Sequence, residues 1–177
     1  MKFFRYVFQD LFQYQVQGNK NAFFLLLFHP GFRAVILYRM SCYFALRRFP
    51  FLPLMLLNVC QILTGAEIHY NSNIGKGFKI AHPNGIVVGA HVVSGNNLTI
   101  FQGVTIGARI IMQQDPIKSP KARYPIIGNN VILYAGAKII GSITLGDNVT
   151  VGANSVVLKS VPDNATVVGI PGRIIAK

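Results

Sequence analysis

"NIGKGFKIAHPNGIVVGAHVVSGNNLTIFQGVTIGARI", residues 73–110, places Ile74, Ile80, Ile86, Val92, Leu98, Val104 and Ile110 six residues apart. A helix repeats every 3.6 residues and a strand every 2, so six is a regularity of another kind. The series starts one step earlier, at Ile68, stops for "IMQQDPIKSPKARYP", and resumes at Ile127, Leu133, Ile139, Leu145, Val151 and Val157. Fourteen successive hits on Ile, Leu or Val exclude chance. A hexapeptide repeat builds a solenoid of short parallel strands, in which three sides make a coil of about eighteen residues. The aliphatic residue points into the prism and stacks on its equivalent one coil away, at the ~4.8 Å strand spacing. Small residues (Ala90, Ala108, Ala137, Ser155) recur four places later, and "SGNN", "IGNN" and "LGDN" supply corners that favour left-handed backbone angles.

Segment 111–126 cannot continue the coil. It contains Pro116, Pro120 and Pro125 with Lys118, Lys121 and Arg123, and is expected to be extruded as a functional lid or binding arm.

Residues 1–66 differ in kind. They read as helical and strongly apolar, broken at His29-Pro30-Gly31 and at Pro50 and Pro53. Arg33, Arg39, Arg47 and Arg48 interrupt every run before it reaches the length of a membrane span. Such helices suit packing against a partner subunit or contact with a membrane surface. The chain divides into this N-terminal helical region, 1–66, and a solenoid domain, 67–177, whose tail is 162–177.

With 177 residues, half of them hydrophobic and 12% charged, the chain has ample material for a core. Its net charge of +12 suits anionic partners in general. No recognised motif accompanies that charge, so nucleic acid is not an expected partner. Cys42 and Cys60 read as buried small hydrophobes, and no Cys/His spacing argues for a metal. The N-terminus lacks the apolar core and cleavage site of a signal peptide, which points to a cytoplasmic protein. Peripheral attachment to the inner face of the cytoplasmic membrane stays open.

Of four histidines, His29 precedes a helix break and reads as a capping or packing residue, while His69 and His91 flank inward aliphatics and point outward. His82 sits at a corner two places after Ile80. Glu67 precedes it by fifteen residues, three short of a coil, which sets carboxylate and imidazole on neighbouring coils.

"GAEIHYNSNIGKGFKIAHPNGIVVG", "GVTIGA" and "GANSVVLKSVPDNATVVGIPGRIIAK" together resemble the hexapeptide-repeat acyltransferases, in their serine acetyltransferase-like branch. The resemblance implies a mainly β fold: a left-handed parallel β-helix with an N-terminal α-helical region and an extruded loop, assembled as a homotrimer. It also implies acetyl-CoA as acyl donor without a metal, His82 as general base and Glu67 as the carboxylate that orients it. Donor contacts fall on Gly107, Ala108, Ala135, Ala153, Lys159 and Arg173, and acceptor contacts on Arg123 and Tyr124. Three departures weaken the serine pocket. Ala81 stands where the branch has Asp before its catalytic histidine, Arg123-Tyr124-Pro125 replaces Arg-His-Pro, and residues 11–28 hold no acid. Glu67 and the ending Val161–Gly169 are similar to exopolysaccharide acetyltransferases of the colanic-acid type. The expected activity is therefore O-acetylation of a sugar hydroxyl, on a small or lipid-linked saccharide, in polysaccharide or glycoconjugate synthesis. Serine O-acetylation and a non-catalytic hexapeptide scaffold are the alternatives.

Overall fold

The structure, a computed structural model, describes residues 2–15, 22–109 and 124–175. Ile110 and positions 111–123 of the expected loop lie outside the described residues.

Four helices come first: α1 (Lys2–Gln15), α2 (Ala22–Phe28), α3 (Pro30–Leu46) and α4 (Leu52–Thr64). His29 caps α3 as expected, its Nδ1 accepting from the Phe32 amide at 3.3 Å, and Pro30 takes the first helical position, where its missing N–H costs nothing. Gly65 ends α4 at φ 73°, a left-handed cap that feeds the chain into the first strand.

The remainder is a three-sided prism of parallel strands. The first face holds β1 (Glu67–Ile68), β4 (Val87–Val88), β7 (Thr105–Gly107), β10 (Lys138–Ile140) and β13 (Val156–Val157). The second holds β2 (Asn73–Ile74), β5 (Val93–Ser94), β8 (Ile126–Ile127) and β11 (Thr144–Leu145). The third holds β3 (Lys79–Ile80), β6 (Thr99–Ile100), β9 (Ile132–Leu133), β12 (Thr150–Val151) and β14 (Thr166–Val168), with β15 (Arg173–Ile175) added antiparallel at its end. Two expected boundaries shift. Ile126, assigned to the loop, opens β8 opposite Val93. The tail from 162 contributes a further rung, with Ala165 and Val167 buried and Thr166 paired to Thr150.

The register corrects the simple clock. Ile68 pairs with Val88, a coil of twenty residues, whereas Val88 to Ile106 and Ile139 to Val157 are coils of eighteen. Each hexapeptide in fact points two residues inward, two apart. Ile68, Ile74 and Ile80 occupy the later inward place in their strands, as do Val88 and Ile106. Ile86, Val92, Leu98 and Val104 occupy the earlier one and are just as buried. Two extra residues at the Ala81–Gly85 corner exchange one inward class for the other, so the aliphatic period runs on undisturbed. The insertion falls at His82.

The corner between the second and third faces is an asparagine ladder. Asn97, Asn130, Asn148 and Asn164 all take φ of 56–59°, and each side-chain amide donates to the next at 2.9–3.0 Å. Asparagine tolerates that conformation because its short amide replaces lost local contacts.

α3 plugs the first coil. A Cβ on Gly31 would collide with the Ile80 carbonyl oxygen, so glycine lets the helix lie on β3. Tyr14 bridges Ile80, its hydroxyl accepting from the amide at 2.8 Å and donating to the carbonyl at 3.1 Å. Arg39 is 6% exposed and donates to Asp10 at 2.8 and 3.2 Å and to the carbonyls of Ile74 and Gly75 at 2.6 Å each. Asp10 also accepts from the Phe78 amide at 2.8 Å. Burial pushes the Asp10 carboxyl above its ordinary value despite the opposing hydrogen bonds and charge of Arg39. Removing one partner from such a pair leaves a buried charge unpaired. Arg39→Ala is expected to cost about 3–5 kcal/mol of unfolding free energy, read from the urea midpoint at fixed protein concentration. A loss under ~1 kcal/mol would show the pair to be dispensable.

Candidate functional site

His82 is exposed at the enlarged corner between the third and first faces. Pro83 beside it is buried and anchors the bulge. On the coils below, the same corner presents Phe101 and Tyr134. Their rings stack at 5.2 Å and 26°, and the His82 ring lies 6.4 Å from that of Phe101. His82 therefore heads a short aromatic column while its other side faces solvent. Sequence reading passed over Phe101 and Tyr134. Each directly follows an inward aliphatic, Ile100 or Leu133. The signal emerges only when coils of unequal length are brought into register.

Glycines at φ 69–74° (Gly65, Gly85, Gly103 and Gly136) line this corner from coil to coil. The Gly85, Gly103 and Gly136 amides all bond to the preceding coil, at 2.8–2.9 Å. None of those three is free to hold an oxyanion.

Glu67 projects outward from the first face, opposite Val87 of the next coil. No hydrogen bond or ion pair joins its side chain to His82 within this chain. Its electrostatic partner is His69, two residues along the same side of the strand. His69 sits at the other edge of the first face, stacked on Tyr70 at 4.6 Å, its Nδ1 accepting from the Asn71 amide at 3.1 Å. Partial burial, reinforced by the neighbouring His91, lowers its pKa, while Glu67 opposes the shift.

One coil on, His91 meets Tyr124 edge to face at 5.3 Å. Tyr124 is half-buried and its ring covers Gly89, where any Cβ would lie 2.6 Å from the ring. The second acceptor residue, Arg123, lies outside the described residues. His69, His91 and Tyr124 thus form a row along this edge.

The expected donor residues divide between the same two edges. Ala135 and Ala153 fall on the His82 corner, with Arg173 near it through its pairing with Val168. Gly107 ends β7 on the His69 side with Ala108 next to it, and Lys159 follows β13 there. From Phe101 to Gly107 the face measures at most ~20 Å at about 3.3 Å per residue. A cleft of about 730 Å³ lined by Tyr6, Tyr38, Tyr43 and Tyr70 lies elsewhere, between the helices and the first coil, and includes none of these residues. Among the described residues no group of three or more His, Cys, Asp or Glu is placed to hold a metal. The chemistry available is that of an exposed imidazole, the Glu67 carboxylate on the first face beside His69, and surface cations: proton transfer and anion binding.

Residues 124–159 match the family described as bacterial transferase hexapeptide (six repeats). The chain is 41% identical over 156 residues to a serine acetyltransferase of Synechococcus elongatus, across 88% of this chain and 61% of the relative. With the serine acetyltransferase of Helicobacter pylori (strain J99) it shares 38% over 158 residues, across 89% of this chain and 88% of the relative. It therefore spans about three-fifths of the first relative's length and most of the second's. Among solved structures, the Neisseria gonorrhoeae serine acetyltransferase in complex with serine superposes with a TM-score of 0.85 at 32% identity, covering 99% of this chain and 69% of that one. A serine acetyltransferase in complex with CoA gives 0.82 at 32%, covering 98% and 69%. By sequence and by fold, this chain belongs to the hexapeptide-repeat acyltransferases built on the left-handed parallel β-helix, in their serine acetyltransferase branch.

Proposed function

We infer that the protein transfers the acetyl group of acetyl-CoA to the hydroxyl of serine. The observation that carries this reading is the exposed His82, set on an aromatic column at a corner enlarged by two residues, within a sequence about 40% identical to serine acetyltransferases. An alcohol is a poor nucleophile at neutral pH, and imidazole is the side chain suited to take its proton. The serine hydroxyl gives its proton to His82 as its oxygen forms a bond to the thioester carbonyl carbon. The carbon–sulfur bond then breaks, and His82 returns the proton to the sulfur. Glu67 holds the other ring nitrogen and fixes the tautomer, as the carboxylate of a triad does. Within this chain Glu67 influences His69 rather than His82, so this orienting contact belongs to the proposal.

The division of residues between two edges of the first face supports an active site shared between neighbours in a trimer. The His82 corner of one subunit then faces the His69, His91 and Tyr124 edge of the next. The donor lies in that seam, along the small residues Gly107, Ala108, Ala135 and Ala153, with the exposed Lys159 and Arg173 near its phosphates. Arg123 and Tyr124 belong to the acceptor side.

A second reading, acetylation of a sugar hydroxyl, is favoured by two specific observations. Ala81 offers no carboxylate for serine's ammonium, and Tyr124 is committed to Gly89 and His91. The acceptor separates the two. The protein is incubated with acetyl-CoA and either serine or a panel of free and lipid-linked saccharides while thiol release is followed. Serine is expected to give rapid release, and release with a saccharide alone would overturn serine in favour of the second reading. His82→Ala is expected to lower kcat at least ~10²-fold in the same assay, the usual worth of a general base. Near-normal turnover would remove the mechanism. In an NMR pH titration, His69 is expected to have its midpoint below the ordinary imidazole value, and His91→Asn should raise it by removing a like charge.

A further inference from the structure

The outer end of the helical layer carries a surface that the transfer reaction does not use. At the turn from α3 to α4, Leu46 is 87% exposed, Phe51 79% and Phe49 48%, and Arg47 and Arg48 are exposed among them. α1 runs antiparallel to α3 and brings its N-terminus to the same end. Phe3 touches Tyr43 at 5.1 Å, and the neighbouring Phe4 is 76% exposed. We propose that this end docks on an anionic phospholipid surface, with Leu46, Phe49 and Phe51 entering the headgroup boundary and Arg47 and Arg48 pairing with lipid phosphates.

Charge complementarity selects the occupant. Residues 1–66 hold seven Lys and Arg and one acid, Asp10. Asp10 is fully buried on Arg39, so the described helical surface carries no exposed carboxylate. A second copy docking through the same face would set arginines against arginines with nothing to offset them, whereas an anionic bilayer neutralises them. Bulky apolar side chains interleaved with arginine are the composition of a segment that lies in a membrane interface. No described helix is long and apolar enough to cross a bilayer, so the contact is with the surface.

Arg48 supplies a separate indication. It sits at φ 58°, and every other described residue at positive φ is asparagine or glycine. Those residues reach that conformation cheaply, whereas arginine does not. Arg48 thus places an exposed cation beside Arg47 where the fold elsewhere uses turn-forming residues.

The test is flotation of the full-length protein with vesicles, and it does not depend on which acceptor is acetylated. Binding is expected to vesicles of phosphatidylglycerol and phosphatidylcholine at low salt. It should weaken at high salt, because exposed charges are screened, and be absent with phosphatidylcholine alone. Each arginine near an anionic surface contributes about fivefold to partition, so Arg47→Ser with Arg48→Ser should lower it about twenty-five-fold. Leu46→Ser with Phe51→Ser should lower it as well, with circular dichroism and oligomer size unchanged, since both side chains are already in solvent. Failure to bind anionic vesicles, or binding that neither double variant weakens, would overturn the proposal. So would an apolar variant whose assembly dissociates, which would make this end a contact between copies.

Discussion

A buried ion pair joins the two halves of this molecule. Arg39, on the central helix, holds Asp10 of the first helix with one side of its guanidinium and two carbonyls of the first coil with the rest. Asp10 in turn accepts an amide from that coil. The first rung of a β-helix would otherwise end in unpaired edges and an open apolar core. The cap closes that core with Ala34, Val35 and Tyr38, and the polar clamp fixes where the cap sits. Glu67 lies on that first coil and His82 on the corner leaving it. The clamp holds Ile74, Gly75 and Phe78 on the stretch between them, so it fixes the coil that carries both.

The fold was legible because its core repeats. One class of residue at one spacing named the solenoid, and the corner asparagines followed from the need for left-handed backbone. The enlarged corner was hidden for a physical reason. A hexapeptide points two residues inward, both aliphatic, so an insertion of two residues exchanges their roles without breaking the pattern. Only the pairing of Ile68 with Val88 exposes it. The Asp10–Arg39 pair left no trace in sequence either. Two charges 29 residues apart on separate helices have no periodicity to announce them. The site fell between these cases. His82 and Tyr124 were visible through the residues around them, but the division of the set between two edges depends on coil register across residues 111–126, where the sequence repeat lapses.

That division changes what a single subunit can do. His82 and its aromatic backing stand on one edge, and the His69, His91 and Tyr124 row stands on the other, separated by the width of a face. Side chains of one subunit would have to span up to ~20 Å to use both edges at once, which is the ground for proposing a site shared between neighbours. Tyr124 couples the far edge to the fold, since its ring occupies the space that Gly89 leaves and closes the chain after the loop onto the coil beneath. Any side chain at Gly89 would lift that ring and, with it, the end of the segment expected to meet the acceptor.

The clamp also shapes the surface, by subtraction. The helical layer has one carboxylate, and the fold takes it inside to neutralise Arg39. What remains outside is of one sign, so the interaction that fixes the cap also leaves its outer face cationic. Removing an acid from the surface weakens self-association through that face and strengthens its attraction to anything anionic. Interior electrostatics and surface charge are thus two consequences of where a single aspartate is placed.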